Sequence, residues 1–81
     1  MTSDTLHHAV RAQPFQPFVL HLADGRKVSV DHPEVIAYRQ GGRTAVAMLA
    51  NDAFEFIDLL LVVSLEVKPP RTGTRRPRNT G

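Results

Sequence analysis

The residues of this chain with chemistry to offer are four histidines, one Asp-His-Pro-Glu run and four clustered arginines. His7, His8, His21 and His32 are the side chains that titrate nearest neutral pH and the commonest metal ligands. A helix brings two ligands to one ion at i, i+4 spacing. His7 and His8 are adjacent, so on a helix they diverge by about 100°. His21 falls in an alternating segment, and His32 stands before a proline. The chain has no cysteine, and it contains no His-Glu-x-x-His pattern. The spacing therefore predicts no metal site and no cofactor.

Asp31-His32-Pro33-Glu34 sets two acids beside an imidazole. Neighbours along an extended chain point to opposite faces, so adjacency does not orient a base. A nucleophile is needed as well. Ser29 and Ser64 lack the glycine context of a nucleophile elbow, and Ser3 lies in a helix cap. The run reads as a bend set by Pro33. Gly41-Gly42-Arg43-Thr44 lacks the spacing and the following helix of a phosphate loop, and reads as a hairpin turn. Pro14-x-x-Pro17 has the form of a polyproline ligand, but Phe15 and Phe18 make it an anchored connector. No catalytic residue emerges, and the chain is expected not to be an enzyme.

The arginines divide the chain by charge. The net charge is +2 over 81 residues. Residues 1 to 70 hold six Lys/Arg and all eight acids, about −2 in sum. Residues 71 to 81 hold Arg71, Arg75, Arg76 and Arg78 and no acid. A body without a basic excess argues against a phosphate-binding face on it. The arginine segment has the composition of a disordered arm that touches nucleic-acid phosphates, or of a solubilising tail. The domain is thus expected over residues 1–70, with a disordered Arg-rich tail over 71–81.

The elements that position these groups follow from periodicity. Thr2-Ser3-Asp4 offers an N-cap, with Leu6 and Val10 facing inward from a short helix. Gln13-Pro14 ends that segment. From Phe18 the period is two, and Asp24-Gly25 predicts a type I′ hairpin between Phe18–Ala23 and Arg26–Asp31. His32-Pro33-Glu34 bends the strand, because proline cannot donate to a ladder. Further strands follow over residues 35–39, 43–50 and 53–57, with turns at Gln40-Gly41-Gly42 and Asn51-Asp52. Thr44, Val46 and Met48 share one face, as do Phe54 and Phe56. Asp58-Leu59-Leu60 interrupts the alternation and reads as a one-turn 3₁₀ corner. Val63, Leu65 and Val67 then continue a closing strand to Pro69-Pro70. The fold class is mainly β: a short N-terminal helix and a five-stranded, strongly bent antiparallel sheet forming a small barrel.

This order of parts resembles the Sm-like family of SH3-like barrels, which includes the bacterial RNA chaperone Hfq. The features that carry it are the N-terminal helix, the hairpin from Phe18 to Val28, the bent second strand, and the strand–corner–strand from Phe54 to Val67. It covers roughly residues 5 to 68. In that chaperone a Lys-His pair at the corner contacts uridine-rich RNA; here the place reads Ile57-Asp58-Leu59, so no RNA-contacting residue transfers. The chain is also similar to small bacterial proteins of uncharacterised activity with the same Pro14–Phe18, His21–Arg26 and His32–Glu34 layout.

The run from Ile57 to Val63 has too many apolar residues for one face of a strand. A strand buried on both faces needs a second covering layer, either the N-terminal helix or another subunit. Leu59, Leu61, Val62 and Val63 are the candidate interface of a homo-oligomer. Three functions stay open. The first is a self-associating binding or scaffold module that contacts nucleic acid through Arg71, Arg75, Arg76 and Arg78. The second is a regulatory subunit docking on another protein through a sheet edge. The third is a small-ligand binder at a subunit junction, with His21, Tyr38 or Arg39 in its wall. No apolar stretch is long enough to cross a membrane, none has signal-peptide form, and a cytoplasmic location is expected.

Overall fold

A computed structural model describes residues 1–69. The expectations for Arg71, Arg75, Arg76 and Arg78 lie outside the described residues. The chain opens with helix α1 (Ser3–Val10). Thr2 Oγ1 accepts the Thr5 N–H at 3.3 Å, a cap worth about 1 kcal/mol. Leu6 and Val10, four apart, fall on one face and are buried. Two polar contacts fix the helix: Ser3 Oγ accepts the Gly41 N–H at 2.7 Å, and His7 Nδ1 meets the Tyr38 hydroxyl at 2.6 Å.

Six strands follow: β1 (Phe18–Leu22), β2 (Lys27–Val30), β3 (Ile36–Tyr38), β4 (Thr44–Met48), β5 (Phe54–Asp58) and β6 (Val62–Val67). They form two antiparallel sheets, in the orders β2-β1-β6 and β3-β4-β5. This corrects the single five-stranded sheet, and the two sheets do not close into a barrel. Pro33 has no N–H to give a ladder, and it opens a one-turn 3₁₀ helix over Pro33–Val35. The bent strand is thereby cut in two. Its first half pairs with β1 and its second with β4.

The first hairpin turn also differs from expectation. A type I′ turn needs positive φ at both central residues, but at Asp24-Gly25 only Gly25 has it, at 93°. Gly25 N–H donates to Leu22 C=O and Leu22 N–H to Arg26 C=O, which makes a three-residue loop. Asp24 Oδ1 accepts the Arg26 N–H. The β4–β5 turn repeats the device, with Asn51 Oδ1 accepting the Ala53 N–H and Asp52 at φ 68°.

Between β5 and β6 the chain turns a one-turn 3₁₀ corner at Leu59–Leu61, one residue later than the spacing predicts. Asp58 Oδ1 caps it by accepting the Leu60 N–H at 3.0 Å. The buried set draws on α1, all six strands and the corner: Leu6 and Val10; Phe18, Leu20 and Leu22; Val28 and Val30; Ile36; Ala45 and Ala47; Ile57, Leu59 and Val62. Each fully buried Leu, Val, Ile or Phe among them contributes about 1.5–3 kcal/mol of transfer free energy. The described residues include no helix long and apolar enough to cross a membrane.

Candidate functional site

The outer faces of the two sheets differ in character. On the first, Val19 and His21 of β1 lie opposite Ser29 and Lys27 of β2 and opposite Glu66 and Ser64 of β6. That face is polar, and His21 Nε2 meets Glu66 Oε1 at 2.9 Å. On the second, Val46 lies between Ala37 and Phe56, and Met48 lies opposite Phe54. Only Thr44 and Asp58, paired at one end, interrupt the apolar character of that face. Phe56 is 71% exposed, Phe54 63% and Met48 44%. Isolated exposed apolar residues are ordinary, whereas a contiguous patch marks an interaction surface.

The register explains why these side chains cluster. Leu49 N–H donates to Ala53 C=O, and hydrogen-bonded pairs alternate with unbonded ones along an antiparallel ladder. Met48↔Phe54 and Val46↔Phe56 are therefore unbonded pairs, whose side chains approach most closely. The same alternation turns the N–H and C=O groups of Phe54 and Phe56 to the open edge of β5. A shallow dimple of about 110 Å³ sits beside them, lined mainly by Val35, Ala37, Val46, Met48 and Phe54, with Glu34 at its rim. The inward residues of β5 are Glu55, whose carboxylate pairs with the Arg26 guanidinium, and buried Ile57.

The four residues expected at an oligomer interface separate. Leu59 is 1% exposed and Val62 4%. Both face the chain's own core and have no surface left for a second subunit, which corrects that expectation. The covering layer comes in part from α1, since Leu6 and Val10 join the same core cluster. Leu61 and Val63 are exposed, and with Leu60 and Val67 they give the corner and β6 an apolar margin. Phe54, Phe56 and Met48 were not singled out as interface by the sequence. Their period-two spacing was visible, but alternation does not say which set faces the core.

The chemistry-bearing residues are not brought together. Among the described residues, no three His, Asp or Glu side chains stand close enough to hold a metal ion. His8 is exposed on α1, His7 is tied to Tyr38, and His32 lies at the Pro33 bend. His21 is on the first sheet and Tyr38 on the second. Gly41 and Gly42 form the β3–β4 turn, with Gly41 at φ 84°. No protein-family model, curated protein or solved structure matches this chain.

Two carboxyls at turns are acidified. The Arg26 backbone N–H, aided by that residue's guanidinium, holds Asp24 below the ordinary carboxylate range. The Leu60 N–H, aided by Arg43 at 3.1 Å, does the same for Asp58. A folded pKa below the unfolded value adds stability above the unfolded pKa, and that stability is lost as pH falls through the folded one. Asp58→Asn should therefore be less stable than the parent at neutral pH. The difference should shrink towards zero as denaturation curves are taken down below pH 4.

Proposed function

We propose that this chain is a non-catalytic module that works as a homo-oligomer, with its second sheet's apolar outer face covered by the same face of a second copy. The observation that carries it is the contiguous exposure of Phe54, Phe56 and Met48 beside Ala37 and Val46. A second copy fits because knob and hole occupy one face. Phe56 projects next to the dimple, and a twofold axis would seat each copy's Phe56 in its partner's dimple. At these exposures, Phe54, Phe56 and Met48 alone offer roughly 350 Å². A stable pair buries about 800 Å² per partner, and Ala37, Val46 and the open edge of β5 are the adjoining surface that extends the contact. The expected mass in solution at micromolar concentration is twice the 9.0 kDa of the chain. Light scattering that returns the single-chain mass overturns the reading.

The strand orders support an Sm-like or SH3-like arrangement as the finer fold. The second strand is divided between sheets at its bend, and the closing strand returns beside β1 after a corner. Charge supports nucleic acid as the partner. Residues 71–81 carry four arginines and no acid, and pairing two copies doubles the arginines within reach of one strand. Four phosphate contacts per copy predict an affinity for single-stranded RNA that falls roughly 50-fold per copy between 50 and 200 mM salt. Removing residues 71–81 should abolish it; unchanged binding by the truncated chain, read by fluorescence anisotropy, would sink the tail mechanism.

A further inference from the structure

The edge of β2 borders a groove, and the ladder shows what it offers. Leu22 N–H donates to Arg26 C=O at 2.9 Å. By the alternation of an antiparallel ladder, Leu20↔Val28 and Phe18↔Val30 are bonded pairs, while His21↔Lys27 and Val19↔Ser29 are not. Lys27 and Ser29 thus turn their N–H and C=O groups away from β1. β2 is at the end of its sheet, and no described residue bonds these four groups. The groove beside them has a volume of about 360 Å³, with Lys27, Ser29 and Asp31 on one side and Val35, Met48 and Leu49 on the other. It exists because the Pro33 bend carries the chain from one sheet to the next, so β2 parts from the end of β4.

We infer that this groove binds an extended peptide segment of another protein, which adds as an antiparallel strand to the open edge of β2. Main-chain groups of Lys27 and Ser29 supply the ladder, as in other cases of strand addition. The charges fix the direction and the sequence preference. Lys27 has no carboxylate partner among the described residues. Asp31 lies four residues on, about 13 Å along the strand, with Lys68 Nζ at 3.4 Å. A peptide with a basic residue and, four positions later, an acidic one meets both ends when it runs antiparallel. Its apolar residues in between pack on Val35 and Met48. This site is separate from the self-association surface in its polar side, though Val35 and Met48 border both.

The probe is a doubly capped synthetic peptide, Lys-Val-Thr-Val-Glu, titrated into the full chain and followed by amide chemical shifts. The expected result is a saturable shift of the Lys27, Ser29 and Asp31 amides. The charge-exchanged peptide, Glu-Val-Thr-Val-Lys, should bind at least tenfold more weakly, and Lys27→Glu should weaken the first peptide by a similar factor. A Phe56→Glu chain should bind it as the parent does, so failure of self-association does not touch this result. No saturation at millimolar peptide, equal binding of both peptides, or shifts confined to β5 or β6 would each overturn the inference.

Discussion

If the proposed self-association holds, Phe56→Glu is expected to give single chains of 9.0 kDa while leaving each chain folded. Phe56 is 71% exposed and makes no part of the core, so its replacement costs the isolated fold within about 0.5 kcal/mol. In a twofold contact every substitution acts twice, once from each copy. A carboxylate placed against the dimple, which Glu34 already borders, must be desolvated without a partner, which costs several kcal/mol per site. Two such sites exceed what a small contact supplies, and the pair should not form at micromolar concentration. His8→Glu, which adds the same charge to the exposed side of α1, should leave the mass unchanged. Sedimentation of the two variants beside the parent checks this. Equal masses for Phe56→Glu and the parent oligomer would place the contact elsewhere, on the corner and β6.

How much of this was legible in the sequence depended on which physical signal each element carried. The cap at Thr2 and the inward pair Leu6 and Val10 could be read directly, because i, i+4 spacing and a hydroxyl cap are local. The first hairpin was legible for the same reason. The loop type at Asp24-Gly25 was not, since one positive φ or two is settled by the flanking ladder. The break at Pro33 was anticipated as a bend in one strand. That it divides the strand between two sheets depends on which partners lie beyond it, and no local signal reports that.

The candidate surface was legible only in part, and β5 shows why. Phe54 and Phe56 share a face by simple alternation, yet so do Glu55 and Ile57. Hydrophobicity alone favours turning the phenylalanines inward. The fold does the reverse, because the inner face of sheet two is filled by Ala45, Ala47 and Ile57, next to Ile36. Small residues at β4 leave space for the side chains of the opposite sheet, with Phe18 and Leu20 among the largest buried. At the corner the sequence shows an excess of apolar residues but not its distribution. Leu59 and Val62 go to the core and Leu60, Leu61 and Val63 to the surface, because a 3₁₀ turn repeats every three residues.

Phe18→Ala should be the most damaging single truncation in the chain, and its outcome tests whether the faces are set as described. Phe18 is 0% exposed at the centre of the first sheet, between Val30 of β2 and Val67 of β6, with the Phe15 ring 6.0 Å away. Removing a buried phenyl costs about 3–5 kcal/mol, against the roughly 5 kcal/mol at the low end that a domain of this size can hold. The melting temperature should fall by on the order of 20 °C, measured by circular dichroism. Phe54→Ala, the same change at a residue 63% exposed, should leave the melting temperature of the single chain within a few degrees and lower the association constant instead. A one-residue slip of β1 would turn Val19 and His21 inward and Phe18 out. In that register Phe18→Ala is the mild variant, so the contrast between the two phenylalanines reports the register of the core and the surface at once.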